Sequence, residues 1–372
     1  MAKHSFFSKI SGSLMGLLLG LVFIAGSIYI ISWNEGRTIK THKGLVQGLK
    51  EVYTSQNINY VSPENEGKLL HLIGEVHSNE TLVDRDFGIR VPYLKLQRNV
   101  EMYQWREKSE QRTIPGSDEK ETLYFYDKTW AAGLHKSSQF KEADSHQNPV
   151  AFKFGSFRES VSKAKMGAHD LSGKQLARLN NWADFNFSEI QQMENTQLIN
   201  REGQASTIFH GTGNFENPNI GDIRIKYKAI YPGNFSIVAK QKLNTFEAFK
   251  TDKDTEIDFI KPGSLSAKEL FDSAFSQNTI IKWLLRVGSF ILLFLGVRML
   301  FNPITALASY IPLVRNIVNF GAGLISFILA FSIWLIALGL SWIYYRPLLG
   351  VILLAIAVLV VVLSSNRGKQ RA

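Results

Sequence analysis

The chain has 372 residues, no cysteine, and a formal net charge of +10 from 42 Lys and Arg against 32 Asp and Glu. Without cysteine, disulfides, thiolate nucleophiles and cysteine-ligated zinc are excluded. The excess charge lies at the two ends, because residues 1–33 and 273–372 hold ten basic residues and no acidic ones. The stretch between them is formally neutral, so we expect no nucleic acid among the partners.

Four apolar segments are candidate membrane-spanning helices, since roughly 20 apolar residues cross the hydrocarbon core of a bilayer. They flank one long stretch that is polar enough to fold in water. The predicted order is an N-terminus with the first transmembrane helix (1–33), a water-exposed domain (34–279), a second transmembrane helix (280–301), a link (302–316), a third (317–343) and a fourth (347–363) transmembrane helix, and a basic tail (364–372).

The first apolar segment, Leu14–Ile31, is interpreted as a retained anchor. A cleaved signal peptide is the alternative, but the apolar run is too long and no small-x-small cleavage pattern follows it. Small residues recur every four positions in this helix, and again in the third span. Such stripes let helices approach closely, within one chain or between copies; both readings stay open. The candidates for packing or oligomerisation are Gly12, Gly16, Gly20, Ala322, Ser326 and Ala330.

The domain between the first two spans shows mostly strand patterns, with β-branched and aromatic residues between turn signals. Helical patterns are fewer, and the clearest, Ser266–Ser276, is expected to continue into the second span. We predict an α+β domain of mainly antiparallel β-sheet. Predicted strands are Lys68–Val76, Tyr93–Trp105, Thr122–Trp130, Ile208–Gly211, Ile223–Ile230, Ser236–Gln241 and Glu256–Ile260; weaker helical predictions are Gly173–Asn180 and Glu189–Gln197.

No catalytic or phosphate-binding motif is complete in the sequence. His71 and His77 share a strand face, but a third metal ligand is missing. Glu64 and Glu66 would share a face of an extended segment, as a carboxylate pair could. We therefore expect no enzyme, metal or cofactor; an enzyme using these four residues is the least favoured hypothesis.

The spans contain no Asp or Glu, which disfavours a proton or cation carrier. Arg286 lies near the outer end of the second span, where its side chain could reach the headgroups. The link Asn302–Asn316 is too apolar for an ordinary loop and too short to cross a bilayer, so an interfacial or re-entrant segment is predicted. Its candidate interfacial residues are Tyr310, Pro312 and Arg315.

The basic residues beside the spans predict the orientation. Seven of the ten precede the first span, border the link or follow the fourth span. With four spans these regions share one face, and the positive-inside rule makes that face cytoplasmic. The large domain is then on the non-cytoplasmic side.

Five short motifs occur in collinear order, and together they resemble the transmembrane protein 43 family, also called LUMA. They are Asn34–Arg37 (NEGR), Pro63–Gly67 (PENEG) leading into His71–Gly74 (HLIG), Val100–Trp105 (VEMYQW), Gly221–Arg224 (GDIR) and Tyr345–Leu348 (YRPL). The composition favours a bacterial member. We interpret Asn34–Arg37 and Glu101–Trp105 as turn and strand positions that close the sheet against the membrane.

The resemblance implies a non-enzymatic membrane protein that organises membrane complexes and associates with itself. In animals the family is placed in the endoplasmic reticulum and inner nuclear membrane, with its large domain luminal; a bacterial member would lie in the inner membrane. Expected partners are a second copy, membrane lipids and other membrane proteins. The alternative is a lipid- or small-ligand-binding protein that uses the C-terminal helices and the link.

Overall fold

A computed structural model describes residues 6–114, 120–187, 194–201, 203–308 and 312–348. The chain divides into two compact units. The helical unit comprises Met1–Glu51, Lys250–Ile257 and Lys268–Ala372, and the β unit comprises Val52–Phe249 and Asp258–Ala267.

Among the described residues, three helices are long and apolar enough to cross a membrane: α1 (Phe6–Glu51), α3 (Ala267–Leu300) and α5 (Pro312–Tyr345). Two shorter α-helices, α2 and α4, also occur in the described residues. The predicted fourth span lies outside the described residues from position 349 onward, as does the basic tail. The helices are α1 Phe6–Glu51, α2 Gly173–Arg178, α3 Ala267–Leu300, α4 Asn302–Ala308 and α5 Pro312–Tyr345.

Helix α1 continues well past the apolar run, to Glu51. Its polar half keeps a helical burial pattern, with Asn34, Thr38 and Leu45 all buried. Near its end Gly44 and Gly48 lie directly against the segment Lys250–Ile257, where larger side chains would clash. Close packing of this face therefore holds residues 34–51 in the helix, although their polarity had suggested that they begin the water-exposed domain.

Helix α3 confirms the prediction that the helix beginning near Ser266 continues into the second span. It runs unbroken for 34 residues. Leu270 and Phe271, which form the predicted apolar stripe with Phe275, are both buried.

The strands of the β unit form two large, mainly antiparallel sheets, in which β1 pairs parallel to β2, and a small hairpin of β3 with β4. The first sheet has the order β15-β14-β2-β8-β9, and the second has the order β11-β12-β13-β5-β6. The strands are β1 Tyr53–Thr54, β2 Leu69–His77, β3 Leu82–Asp84, β4 Ile89–Val91, β5 Lys95–Thr113, β6 Lys120–Ala131, β7 Phe157–Ser160, β8 Ala164–Met166, β9 His169–Leu171, β10 Ala183–Asp184, β11 Thr196–Ile199, β12 Thr207–His210, β13 Ile223–Ile230, β14 Gly233–Lys242, β15 Thr245–Glu247, β16 Phe249–Lys250, β17 Glu256–Ile257 and β18 Phe259–Pro262.

One apolar core receives side chains from both sheets. Leu72 and Ile237 enter it from the first sheet, and Val100 and Ile225 enter it from the second. All four are essentially inaccessible to solvent. Burial of apolar area on this scale is the main stabilising contribution to such a domain. The predicted α+β domain with mainly antiparallel sheet is thus confirmed.

A buried polar cluster lies at the edge of this core. Arg98 donates to both carboxylate oxygens of Asp84, at 3.0 and 2.8 Å, and to Asp86 at 2.7 Å. The Tyr227 hydroxyl donates to Asp84 at 2.5 Å. Burial and this hydrogen bond raise the pKa of Tyr227, so the hydroxyl keeps its proton. The cluster ties the β3–β4 hairpin to β5 and β13.

Most sequence-predicted elements of the β unit are confirmed, but one helix is wrong. Thr196 and Gln197, predicted as the end of a helix, form part of β11. They pair with His210 and Phe209 of β12, and this cross-strand pairing overrides the local helical pattern. The remainder of that predicted helix up to residue 193 lies outside the described residues.

Candidate functional site

A buried ion pair joins two of the membrane helices. Arg286 of α3 donates from Nε to Glu35 Oε1 of α1 at 2.7 Å, and its Nη2 lies 2.7 Å from the same oxygen. The other carboxylate oxygen accepts the indole N–H of Trp342 in α5 at 3.1 Å. Glu35 is 0 % exposed and Arg286 6 %. The pair is therefore desolvated, and both carboxylate oxygens have donors.

The prediction that Arg286 reaches the headgroups is wrong. The sequence had placed Glu35 outside the first span, so Arg286 had no visible counter-ion. Because α1 continues as a helix, Glu35 lies one turn beyond Ile31, opposite Arg286. Glu35 is four positions after Ile31 on the same helix face, which is the signal that could have revealed the pair.

Further hydrogen bonds extend this contact along α1 and α3. Asn34 donates to the Lys282 carbonyl at 3.0 Å, and Arg37 donates to the Asn278 side-chain oxygen at 2.9 Å. Asn278 in turn donates to the Thr38 carbonyl at 3.0 Å. The NEGR motif is thus the middle of a helix that binds α3, and its interpretation as a turn that closes the sheet is wrong.

Gly36 of the same motif packs against Tyr345 of the YRPL motif. A methyl group on Gly36 would lie 2.6 Å from the Tyr345 Cζ atom, so a larger residue at this position would require the ring to shift. The first and last of the five motifs therefore meet in the helical unit. Glu35 accepts the indole N–H of Trp342, and Gly36 packs against the ring of Tyr345. Trp342 and Tyr345 are three positions apart near the end of α5.

A cavity of about 710 Å³ opens beside these contacts. Its volume is within the range of small-molecule sites in proteins. Four basic side chains line it, and its described lining contains no Asp or Glu. The basic residues are His42, Lys43, Lys282 and Arg346. Sequence reasoning missed this cavity, because the four are far apart in the chain.

The other three motifs make structural contacts within the β unit. Glu101 of VEMYQW accepts a hydrogen bond from Arg224 of GDIR at 2.6 Å across β5 and β13. Asp222 accepts backbone N–H groups of Thr212 and Asn219 at 2.9 and 2.7 Å. Glu66 of PENEG accepts the Leu243 N–H at 2.8 Å. These motifs fix strand pairing and turns.

The residues of the enzyme hypothesis do not form a common site in the described structure. His71 is buried between the Thr54 hydroxyl and the Leu265 carbonyl, and burial lowers its pKa. His77 and Glu64 are exposed, and Glu66 is engaged with Leu243. Among the described residues, no three His, Asp or Glu side chains are grouped as metal ligands would be.

Two glycines of the α1 stripe, Gly16 and Gly20, pack against other residues of the chain. Gly20 and Gly296 of α3 lie against each other, and Gly16 lies against the Asn302 side chain. On α5, Ala322, Ser326 and Ala330 are buried. Gly12 lies within α1.

Of the predicted interfacial residues, Tyr310 lies outside the described residues, and only the helical backbone is described for Pro312 and Arg315.

Gly20→Ala is expected to destabilise the protein by about 1–3 kcal/mol, the usual cost of overpacking. The added methyl group would lie 2.7 Å from the Gly296 carbonyl oxygen, which cannot move without separating α1 from α3. Gly288→Ala is the matched control, since its methyl group meets nothing within 4 Å. Unfolding in nanodiscs measures both, and equal stability of the two variants would contradict close α1–α3 packing.

The comparisons with known proteins agree with the family resemblance that the five motifs indicate. The family model for transmembrane protein 43 matches residues 102–347. Transmembrane protein 43 of Homo sapiens is 29 % identical over 378 residues, which cover 98 % of this chain and 93 % of the human protein. The Drosophila melanogaster homolog is 27 % identical over 359 residues, covering 92 % and 91 %.

No solved structure matches the chain. The two relatives named above come from animals, and the bacterial origin expected from composition stays a prediction. The match to the family model covers most of the chain and includes Met102–Trp105 of the VEMYQW motif, the GDIR motif and Tyr345–Pro347 of the YRPL motif. This chain belongs to the transmembrane protein 43 family.

Proposed function

We propose that this chain is a non-enzymatic membrane scaffold that associates with itself through the free edge of strand β6. Strand β6 is 12 residues long and forms the end of the second sheet. It pairs with β5 along its full length. A long exposed edge strand is a template for pairing with another chain, and monomeric proteins usually block such edges. This edge is the observation that carries the proposal.

The direction of the free backbone groups follows from the pairing of β5. The N–H and C=O groups of Tyr103 bond toward β13, so the even-numbered residues of β5 bond toward β6. Their partners in β6 are odd-numbered, as in the pair Gln104 and Thr129. The even-numbered residues of β6, Thr122 and Tyr124 among them, therefore direct their N–H and C=O groups outward.

The side chains of this edge suit a second copy of the same strand. Tyr124 and Phe125 are 39 % and 50 % exposed. In an antiparallel pair of two β6 strands centred on Phe125, Tyr124 of each copy faces Tyr126 of the other. In that register no like charges face each other, and cross-strand aromatic pairs stabilise sheets.

The packing of the helical unit also favours this surface. Gly16 and Gly20, two of the α1 glycines that could have mediated self-association, already contact Asn302 and α3 within the chain. Another surface is then favoured for an assembly of several copies, and β6 offers backbone groups that no other described strand pairs. In keeping with the charge asymmetry, the β6 edge would lie on the non-cytoplasmic side, in the periplasm or the lumen of the endoplasmic reticulum and nuclear envelope.

Native mass spectrometry of the protein in nanodiscs tests the proposal. We expect a defined oligomer for the parent and at least a tenfold weaker association for Tyr124→Lys, because lysine on an edge strand opposes pairing. Tyr60→Lys is the matched control, since Tyr60 is also exposed, at 60 %, but lies outside the sheets. A monomeric parent would overturn self-association, and an unchanged Tyr124→Lys oligomer would overturn the use of β6.

A further inference from the structure

We propose that the 710 Å³ cavity of the helical unit binds the phosphate group of an anionic phospholipid. The cavity is formed where α1, α3 and α5 leave their apolar segments, and it is distinct from the link that the sequence had suggested as a lipid site. The ligand class follows from three observations: the charge of the lining, the lack of counter-ions, and the position of the cavity along the helices.

The lining has an excess of positive charge without counter-ions. Lys43, Lys282 and Arg346 line the cavity, and none of the three forms an ion pair within the described residues. Glu35, whose negative charge acts on Lys282, is already bound by Arg286. Lys282 is partly desolvated, and the positive charges of Arg286 and Arg346 act on it together with the negative charge of Glu35. An anion would relieve this repulsion and accept charge-assisted hydrogen bonds.

The position of the cavity corresponds to the headgroup level. Lys282 lies at the beginning of the apolar part of α3, and Arg346 directly follows α5. Around this level the aromatic side chains of Trp33, Trp283 and Tyr344 are 48 %, 53 % and 79 % exposed. Exposed Trp and Tyr on membrane helices mark the boundary between hydrocarbon and water. A phosphate at this level belongs to a membrane lipid.

The lining also accommodates the apolar part of a lipid. Ile39, Pro347 and Leu348 contribute apolar surface to the same cavity. Leu348 is 82 % exposed and is available to contact an acyl chain. A diacyl lipid could therefore place its phosphate against Lys282 and Arg346 and its acyl chains along α5. Free phosphate would use only the cationic part of the cavity.

Native mass spectrometry in nanodiscs tests this site, with phosphatidylcholine as the bulk lipid and phosphatidic acid or phosphatidylglycerol as the minor anionic lipid. We expect the full chain to retain an anionic lipid in preference to phosphatidylcholine. Lys282→Gln and Arg346→Gln should each weaken retention about tenfold, as expected for one lost charge-assisted hydrogen bond. Lys282→Arg should retain the lipid, which separates loss of charge from loss of fold.

Lys50→Gln is the matched control, because Lys50 is an exposed cation of α1 that does not line the cavity. Inorganic phosphate, titrated into the protein in phosphatidylcholine nanodiscs, tests the other source of the same chemistry. Calorimetric binding of phosphate that displaces the anionic lipid would reassign the site to a soluble phosphate compound. Equal retention by the Lys282→Gln, Arg346→Gln and Lys50→Gln variants, or no retention by the parent, would overturn the site.

Discussion

Glu35→Ala is expected to lower the stability of the protein by about 3–5 kcal/mol, the cost of leaving a buried charge without its partner. The Arg286 guanidinium is 6 % exposed and would keep its positive charge in a desolvated position. Trp342 would lose the carboxylate that accepts its indole N–H. Denaturant-induced unfolding in detergent micelles, followed by tryptophan fluorescence, measures the change in free energy.

A double variant separates the cost of an isolated charge from the net contribution of the pair. Glu35→Leu with Arg286→Met removes both charges and keeps apolar volume, and we expect stability close to that of the parent or above it. Lys268→Ala is the exposed control, because its ion pair with Asp272 is on the surface. If Glu35→Ala behaves like Lys268→Ala, the Glu35–Arg286 contact does not hold the helices together.

In the β unit the largest loss, again about 3–5 kcal/mol, is expected for Asp84→Ala. Asp84 is 3 % exposed and accepts hydrogen bonds from the guanidinium of Arg98 and the hydroxyl of Tyr227. Without this carboxylate Arg98 retains Asp86, whose side chain is 49 % exposed, and Tyr227 is left with a buried, unpaired donor. The measurement is the free energy of unfolding from a guanidinium titration of the full chain.

Asp127→Ala is the matched control for this prediction. Asp127 also binds an arginine, Arg106, and a lysine, Lys108, but its side chain is 43 % exposed. Exposed ion pairs contribute little because water screens them, so we expect a much smaller change than for Asp84→Ala. Comparable losses for the two variants would show that burial does not set the strength of the Asp84 cluster.

The sequence was sufficient for elements whose signal is local. The strand Ile223–Ile230 was predicted with the bounds that the structure has, because alternating apolar residues and flanking turn residues specify such a strand. The continuous helix from Ala267 into the second span was also predicted, since a capping pattern precedes an unbroken apolar run. Strand Thr196–Ile199 was missed, because its pairing partner, not its own residues, determines its conformation.

The candidate site could not be predicted from local sequence patterns, because its residues also depend on partners far away in the chain. Glu35 and Arg286 are separated by 251 positions, and neither lies in a recognisable motif for an ion pair. Because the residues after Ile31 are polar, the first span was predicted to end there. The helical face on which Glu35 lies was therefore not recognised. The cavity likewise combines Lys43, Lys282 and Arg346, whose positions become neighbours only when α1, α3 and α5 pack.

The length of helix α1 has a mechanical consequence. At 1.5 Å per residue, its 46 residues extend for roughly 70 Å, more than twice the ~30 Å of bilayer hydrocarbon. Helices adapt to bilayer thickness by tilting, and an unbroken helix transmits a tilt to its far end. A change of about 10° within the bilayer would displace a point about 30 Å beyond it by roughly 5 Å. Gly44 and Gly48 lie in that far part, against the segment Lys250–Ile257, so a tilt of α1 would be felt at these contacts.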